Sequence, residues 1–466
     1  MPDTDVVIIG GGVGGYVSAL KGAQLGLQVI LIEKDQIGGL CLNRGCISTK
    51  VLVDSAQIWE FLKNAEQFGL SAKDISYDFK KIIRRKDQIV QRLTLGIQSL
   101  LKARNVQVIR GRAEIPTPGE VIVHRENKDK ETIKTKNIII ATGSKVRKIK
   151  IEGAEDTENI INTDEVLSLE KLPDEMLILG AGYSGIEFAS IYQSFGVNIR
   201  VLDILPRILL PVDEEVAVSL WEILKKQGIH FFLNNQVQKI VKEDHQLAVY
   251  LKNESGAEKV NTQKILLSTG RVPDFGGLDI QGLGIELEKN GGIRVDASMR
   301  TNISGIYAVG DVVARKMLAH VASMQGQVAV QNIAGISKSM SYRVVPFCVF
   351  SNPEVASVGF NEKEAKEEFS EISIFCFPYR VNGKALSMNE REGYVKMIAN
   401  KKENKIVGIH IIGAHASDLI AEATLAIQKG CTASDIAETI HAHPTLPETI
   451  AETAEGILGQ PIHVLR

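Results

Sequence analysis

Short apolar runs alternate with helical stretches through the first half of this 466-residue chain. The run DVVIIG (5–10) has the pattern of a buried parallel strand, and QVILIE (28–33) is the next one. A helical stretch from Tyr16 to about Leu25 lies between them. Strands that alternate with helices in this way predict a Rossmann-like parallel sheet of the α/β class.

A glycine fingerprint joins the first strand to the helix. Gly10, Gly12 and Gly15 spell G-x-G-x-x-G, and Glu33 follows 18 residues after the last glycine. Between a strand and a helix, this spacing predicts a dinucleotide site. Glycine lets the pyrophosphate approach the backbone, the helix N-terminus offers N–H groups, and Glu33 can accept hydrogen bonds from ribose hydroxyls.

The same unit returns at EMLILGAGYSG (175–185). Its matching residues are Gly180, Gly182, Gly185 and Asp203, with the acid again 18 residues after the last glycine. Each copy is followed by a closing strand, IIIATGS (138–144) and ILLSTGRVP (265–273). Two intact copies imply two dinucleotides, a donor and an acceptor. The alternative is one nucleotide site and one decayed, structural copy.

A third nucleotide element is TNISGIYAVGD (301–311), in which an apolar strand ends in Asp311. Strand ends of open α/β sheets face the ligand crevice, so Asp311 is a candidate nucleotide ligand, with an exposed turn aspartate as the alternative. After about residue 345 the runs VPFCVFSNPEVASVG, YVKMIAN and IVGIHIIG indicate antiparallel strands, with helices at 416–429 and 447–458. This pattern predicts a separate α+β domain at the C-terminus.

Composition excludes several classes of protein. A net charge of −2 gives no reason to expect nucleic acid, and five cysteines are too few for a secreted disulfide framework. The N-terminal MPDTDVVIIG lacks the cationic region of a signal peptide, and no apolar run reaches the length of a membrane span. We expect a cytoplasmic protein without a bound metal.

Two cysteines five residues apart, Cys41 and Cys46 in GGLCLNRGC, follow the first fingerprint. A bare C-x4-C is more often a pair of structural thiols, but a pair beside a bound dinucleotide indicates a redox dithiol. A regular helix would separate the two residues by about 7.5 Å along its axis, whereas a disulfide needs Cα atoms within roughly 7 Å. The segment must therefore bend, and Gly45 supplies the freedom.

The chain resembles the flavoprotein disulfide reductases over essentially its whole length. The motifs that carry the resemblance are GGGVGGY, GGLCLNRGCISTK, GAGYSGIE, STGRVPD, IYAVGDV, SNPEVASVG and HAHPTLPE. The resemblance implies an FAD domain, an NAD domain, a return to the FAD domain and a dimer-interface domain. The corresponding ranges are 1–145, 146–272, 273–344 and 345–466.

Site residues follow from the resemblance, position by position. For FAD they are Gly10, Gly12, Gly15, Glu33, Lys50, Gly143, Asp311 and Ala319, and for NAD they are Gly180, Gly182, Gly185, Asp203 and Gly270. Cys41 would exchange with substrate, Cys46 would face the flavin, and Lys50 would pair with Glu187. Tyr183 resembles the residue that covers the flavin, with helix packing as the alternative.

The resemblance also implies a base. His443 in HAHPTLPE would take the proton, with Glu448 orienting its ring, while His441 would be structural. Thr445 and Glu448 also have the spacing of a helix capping box. We expect Glu448 to serve only one of these two roles.

Within the family, the residues favour the dihydrolipoamide dehydrogenase branch. Arginines that similar glutathione reductases use for glutathione and for the NADP phosphate are replaced here by Leu20, Ile204 and Leu210. This branch implies a homodimer acting on lipoyl domains or lipoylated proteins of 2-oxoacid dehydrogenase or glycine-cleavage complexes. The alternatives are a reductase of another small disulfide and a non-catalytic redox-sensing flavoprotein.

Three residues depart from the family pattern. Leu40 stands where threonine is usual, Ser48 replaces a proline, and Gln325 replaces a glutamate. The first two flank the cysteine pair, so we expect them to affect its redox potential and the start of the helix that follows.

Overall fold

The computed structural model describes residues 3–126, 129–154, 158–253 and 256–465. The strands of this part of the chain, in order, are β1 (Thr4–Ile9), β2 (Val29–Glu33), β3 (Gln107–Arg110), β4 (Arg112–Thr117), β5 (Glu120–His124), β6 (Lys130–Ile140), β7 (Ser144–Val146), β8 (Ile160–Asn162), β9 (Glu175–Leu179), β10 (Asn198–Leu202), β11 (His230–Phe232), β12 (Gln236–Glu243), β13 (Gln246–Asn253), β14 (Gly256–Thr262), β15 (Lys264–Leu267), β16 (Arg271–Pro273), β17 (Ile306–Ala308), β18 (Phe347–Val349), β19 (Val355–Gly359), β20 (Ile372–Pro378), β21 (Tyr394–Asn400) and β22 (Ile406–Ile412).

The α-helices in the same residues are α1 (Val13–Gln24), α2 (Gly39–Arg44), α3 (Cys46–Lys63), α4 (Phe79–Ala103), α5 (Tyr183–Ser194), α6 (Glu214–Lys226), α7 (Ala319–Ile333), α8 (Glu362–Glu368), α9 (Gly383–Ser387), α10 (Ala416–Lys429), α11 (Ala433–Ala437) and α12 (Glu448–Ile457). Short 3₁₀ helices span Ala65–Phe68, Val166–Ser168, Gly310–Val313 and Tyr379–Val381. None of the helices described is long and apolar enough to cross a membrane.

The first sheet forms what we call the first Rossmann unit. Its parallel strands lie in the order β3-β2-β1-β6-β17. Strand β17 comes from far along the chain, so residues near 306 return to this unit. The N-terminal half of β6 also pairs antiparallel with β5, and β5 with β4. Both faces of the parallel part are covered, which explains why its strands are almost entirely apolar.

The second Rossmann unit repeats this plan. Its parallel strands lie in the order β11-β10-β9-β15-β8. An antiparallel sheet β12-β13-β14, which the sequence did not predict, lies between β11 and β15 in the chain.

Both predicted closing strands are interrupted. The first ends at Ile140 and resumes as β7 at Ser144, and the second ends at Leu267 and resumes as β16 at Arg271. Gly143 and Gly270, just before each resumption, have φ of +79° and +91°, a region that favours glycine. Strands β7 and β16 then pair antiparallel as a ribbon that joins the two Rossmann units.

The third sheet forms the C-terminal unit. Its antiparallel strands lie in the order β18-β19-β22-β21-β20. Helices α10 and α12 pack on it through a core that includes Leu419, Ile420 and Ile450. The predicted α/β fold with two Rossmann-like units and an α+β C-terminal unit is therefore confirmed.

Candidate active site

A cavity of about 1070 Å³ lies where the three units meet. The first Rossmann unit contributes Cys46, the second contributes Tyr183 and Glu187, and the C-terminal unit contributes Phe347 and Cys348. Seven of the predicted FAD residues also line it: Gly10, Gly12, Glu33, Lys50, Gly143, Asp311 and Ala319. The sequence-predicted residues of the first site are therefore brought together in one place.

Glycine is required at the first loop by close packing. Gly10 has φ of +107°, and a Cβ there would lie 2.3 Å from the carbonyl oxygen of Ala141. A Cβ on Gly15 would lie 1.7 Å from the carbonyl oxygen of Gly10. Gly15 thus lies directly behind the cavity wall, where it lets α1 pack against the end of β1. Gly180 and Gly185 make the corresponding contacts in the second unit, outside this cavity.

The acid of each fingerprint braces its own glycine loop. Glu33 accepts hydrogen bonds from the backbone N–H of Gly11 at 2.5 Å and of Asp35 at 2.7 Å. Asp203 accepts from Ala181 N at 2.6 Å and from Leu205 N at 2.9 Å. A carboxylate offers about four acceptor positions, so each acid can hold its loop and still accept from a ribose hydroxyl.

Helix N-termini without side-chain caps face the cavity. Helix α1 begins after Gly12 and α7 begins at Ala319, and no side chain caps either helix. The first N–H groups of a helix have no partner within it and carry a partial positive charge. They therefore suit the phosphates of a dinucleotide.

The cysteines lie on two different helices. Cys41 belongs to α2 and Cys46 is the first residue of α3, with a break at Gly45 (φ −147°, ψ −115°). The bend predicted at Gly45 is confirmed. Both cysteines are free thiols, and their interaction with each other raises the pKa of Cys41 and lowers the pKa of Cys46. The charge of Lys50 lowers the pKa of Cys46 further.

A buried carboxylate connects the cysteines to the rest of the molecule. Lys50 lies one helical turn after Cys46, and its Nζ is 3.0 Å from each carboxylate oxygen of Glu187. The same Nζ lies 3.8 Å from the ring centroid of Phe350, whose backbone N–H donates to Glu187 at 3.0 Å. Glu187 thus links all three units at the cavity wall.

Asp311 is held by the Ser144 hydroxyl, which is itself bound by Arg271. The sequence analysis predicted neither residue. The Asp311 carboxylate accepts from Ser144 Oγ at 2.6 Å, and that oxygen accepts from Arg271 Nε at 2.9 Å. Arg271 in turn binds Asp164 at 2.9 Å. Burial raises the pKa of Asp311, against the opposing effects of Ser144 and Arg271. The network lies on the β7–β16 ribbon and joins both Rossmann units.

Tyr183 and Cys348 also border the cavity. The Tyr183 side chain is 40% exposed, and its ring packs edge-on against Phe347 with centroids 5.9 Å apart. This geometry allows both helix packing and cover of a ligand. Cys348 lines the same cavity, and burial raises its pKa to about 11. A thiol with that pKa stays protonated at neutral pH.

His443 and Glu448 lie outside this cavity. His443 is 79% exposed, and its Nδ1 lies 2.8 Å from Glu448 Oε1. The other oxygen of Glu448 accepts from Thr445 N at 2.7 Å. The full capping box does not form, because α12 begins after Pro447 and the Thr445 hydroxyl donates to the carbonyl of Ala442. Contrary to our expectation, the Glu448 side chain still reaches both His443 and the Thr445 N–H, one with each oxygen. Burial acts to raise the pKa of Glu448, but these hydrogen bonds outweigh it and lower the pKa.

His441 occupies a different environment. It is buried against Glu422, with 2.9 Å between Nε2 and Oε1, and its Nδ1 lies 2.7 Å from the carbonyl oxygen of Thr439. Both ring nitrogens are occupied, which fits the expected structural role.

Two of the three departures from the family pattern are explained by local contacts. Gln325, 1% exposed, accepts from Gly310 N and donates to Tyr342 Oη, both at 2.7 Å. An ionised glutamate could keep the second contact only by accepting from the Tyr342 O–H, with the direction of the bond reversed. Ser48 is fully buried and donates to the carbonyl of Asn43 at 2.9 Å. Leu40 lines the cavity, and no contact explains its choice.

Comparison with known families now decides the class of protein. The pyridine nucleotide-disulphide oxidoreductase family matches residues 4–326, and its dimerisation domain matches residues 345–454. The chain belongs to this family. Family membership and the dimerisation domain indicate a homodimer.

Individual relatives agree with this placement. A dihydrolipoyl dehydrogenase of Bacillus subtilis is 39% identical over all of this chain and 98% of its own length. The mitochondrial dihydrolipoyl dehydrogenase of Pisum sativum is 37% identical over 99% of this chain and 93% of its own. Among solved structures, LpdA from Mycobacterium tuberculosis has a TM-score of 0.91 at 28% identity, covering 97% of this chain and 99% of that one.

A disulfide reductase of another kind is also similar. The HOCl-induced flavoprotein disulfide reductase RclA from Escherichia coli has a TM-score of 0.87 at 28% identity over 97% of this chain and 99% of that one.

The cofactors of this oxidoreductase are FAD and NAD. The residues present fit two dinucleotides, because the buried hydroxyls of Thr142 and Thr269 have no partner among the described residues. These threonines occupy the same place in the two copies, immediately after the carbonyls that Gly10 and Gly180 approach. The repeated T-G step in both closing strands was the signal that could have identified them.

Proposed function

We propose that this protein is a dihydrolipoyl dehydrogenase that oxidises a dihydrolipoamide group on a lipoylated protein. The observation that carries the proposal is the pair of free thiols Cys41 and Cys46, placed beside Lys50 in the cavity that the first glycine loop borders. Dihydrolipoyl dehydrogenases similar over the full length of both chains support the same substrate. We further propose that the lipoyl carrier belongs to a 2-oxoacid dehydrogenase or glycine-cleavage complex.

In the working cycle, the resting pair is a disulfide. A substrate thiolate attacks Cys41, breaks the Cys41–Cys46 bond and releases Cys46 as a thiolate. The second substrate thiol then displaces Cys41, so that lipoamide leaves as a disulfide and both cysteines are reduced. Bound FAD supplies the chemistry that carries the two electrons onward as a hydride to NAD.

Three features stabilise the Cys46 thiolate. Cys46 is the first residue of an 18-residue helix, where the N-terminal dipole favours negative charge. The neighbouring Cys41 thiol lowers the pKa of Cys46, and Lys50 contributes a positive charge one turn away. Glu187 holds Lys50 in place, and the Phe350 ring covers the ammonium group.

We propose that the base comes from the partner subunit. His443 is exposed and lies outside the cavity of its own chain, which supports its supply by a second copy to each cysteine pair. Glu448 accepts from His443 Nδ1–H, which leaves Nε2 with a free lone pair to take the substrate proton. The two-fold arrangement would form both active sites together.

The nicotinamide cofactor is proposed to be NAD and not NADP. Asp203, directly after β10, would repel the phosphate on the ribose of NADP. The two positions where the similar glutathione reductases have arginines carry Ile204 and Leu210 here. Ile204 is 67% exposed and Leu210 is 44% exposed.

An anaerobic steady-state assay tests the proposal. Purified holoenzyme should reduce NAD with dihydrolipoamide, and Cys41→Ser should abolish the reaction while leaving FAD bound. Glutathione disulfide with NADH should be a poor substrate pair. Turnover of glutathione disulfide but not of lipoamide would overturn the assignment in favour of another small disulfide.

A further inference from the structure

Ser48 ties together the two helices that carry the cysteines. It lies in the first turn of α3, is fully buried, and its Oγ donates to the backbone carbonyl of Asn43 at 2.9 Å. Asn43 lies in the last turn of α2, where carbonyl groups have no partner within the helix. The hydroxyl therefore crosses the break at Gly45 and satisfies one of these carbonyls.

Asn43 extends the tie to the first glycine loop. Its side-chain Nδ2 donates to the carbonyls of Gly39 at 2.8 Å and Ile37 at 3.2 Å. The neighbouring Gly38 N–H donates to the carbonyl of Gly11 at 2.8 Å. A continuous set of hydrogen bonds thus runs from α3 through α2 to the dinucleotide loop.

We propose that the Ser48 hydroxyl is a positioning group that sets the redox potential of the Cys41–Cys46 pair, and this rests on the redox function proposed above. In the disulfide form, the S–S bond itself holds α2 against α3. In the dithiol form, the single-residue link at Gly45 and non-covalent contacts do so, and the Ser48–Asn43 bond is one of these contacts. By keeping the two thiols close, the bond raises their effective concentration and favours the disulfide.

Removing the hydroxyl changes the two redox forms unequally. The disulfide form would keep the helices together and leave the buried Asn43 carbonyl without its donor, which is unfavourable. The dithiol form could move apart and hydrate that carbonyl. Loss of the hydroxyl therefore favours the dithiol by about tenfold, which corresponds to a potential about 30 mV less negative for a two-electron couple.

The test equilibrates holoenzyme with mixtures of reduced and oxidised dithiothreitol under anaerobic conditions. Protein disulfide plus reduced dithiothreitol gives protein dithiol plus cyclic dithiothreitol disulfide, so two electrons and two protons are exchanged. Acid quenching, alkylation and mass spectrometry of the peptide with Cys41 and Cys46 give the fraction of disulfide at each ratio.

The midpoint is the ratio of reduced to oxidised dithiothreitol at which half of the protein is in the disulfide form. We expect this ratio to be about tenfold lower for Ser48→Ala than for the wild type. Ser48→Pro removes the same hydroxyl, and proline is tolerated in a first helical turn, so it supplies the measurement if the alanine protein does not fold. Ser55→Ala is the matched control, because Ser55 donates within α3 to Val51 at 2.9 Å. It should stay within about twofold of the wild type.

Two results would overturn the role of Ser48. One is a midpoint for the proteins lacking the hydroxyl that lies within twofold of the wild type, and the other is an equal shift in Ser55→Ala. A wild-type protein that forms no Cys41–Cys46 disulfide even in oxidised dithiothreitol would instead refute the proposed redox function. The two failures are therefore distinguishable.

Discussion

Glu448→Gln separates the two tasks that one carboxylate performs. Two donors converge on Glu448: His443 Nδ1–H at 2.8 Å and Thr445 N–H at 2.7 Å, each on its own oxygen. A glutamine has one acceptor oxygen and one NH₂ group, so it can satisfy only one of these donors. If the NH₂ group faces His443, the ring must accept at Nδ1 and carry its proton on Nε2, which makes it unable to act as a base.

The size of the effect follows from the bonds lost. A hydrogen bond to a charged group contributes about 1.5–3 kcal/mol. If that energy is lost from the transition state, the rate falls by roughly 10- to 150-fold. His443→Ala removes the base itself and should cost about 10²–10⁴-fold. Glu448→Gln should therefore lie between the wild type and His443→Ala.

The assay compares two activities of each purified variant. Oxidation of dihydrolipoamide by NAD needs the base, whereas NADH oxidation by an artificial electron acceptor bypasses the thiols and should stay near the wild-type rate. Glu422→Gln is a matched control, because Glu422 lies 2.9 Å from Nε2 of His441, which is two residues before His443 in the chain. It should lower dihydrolipoamide oxidation by no more than a few fold.

Three outcomes would refute this reasoning. Full activity of Glu448→Gln would show that the carboxylate does not orient the ring. An equal loss in Glu422→Gln would point to a general effect on this segment. A parallel loss of the artificial-acceptor activity would indicate that the flavin site itself is damaged.

The remaining predictions concern cofactors and assembly. The enzyme should prefer NADH to NADPH by more than about tenfold in kcat/KM, and Asp203→Ala should narrow that gap; equal wild-type rates would contradict the proposal. Two-electron reduction should produce a long-wavelength absorption band that Cys46→Ala lacks; persistence of the band would exclude Cys46 as its thiolate. Mixing Cys41→Ser with His443→Ala subunits should restore roughly a quarter of the sites, and verified heterodimers without activity would refute a shared site.

Local spacing accounts for the parts of the site that could be predicted. The glycine loops need residues without a side chain where the backbone comes close to a carbonyl group. This condition holds at the predicted positions, which are Gly10, Gly15, Gly180 and Gly185. The bend at Gly45 followed from the distance that a disulfide allows. The Gly15 contact and the bend at Gly45 act between residues about five apart in the chain. Gly10 and Gly180 approach carbonyls 131 and 88 residues away, and their spacing within the motif is what identified them.

Long-range contacts were not predictable in the same way. Arg271 binds Ser144, which lies 127 residues earlier in the chain. Asp311, the other partner of the Ser144 hydroxyl, lies another 40 residues after Arg271. The strand β20 has no distinct pattern, because its residues are nearly all half-buried. The double use of Glu448 depends on how far one side chain reaches, which spacing alone does not specify.

The junction at Glu187 has a consequence for how the protein unfolds. One carboxylate of the second Rossmann unit receives Lys50 from the first and the N–H of Phe350 from the C-terminal unit. Separating any one unit from the other two would leave at least one of these polar groups without its partner in the apolar wall of the cavity. Heat should therefore melt the three units in a single transition, and a protease that removed the C-terminal unit would weaken the reducing centre without cutting the segment that carries Cys41 and Cys46.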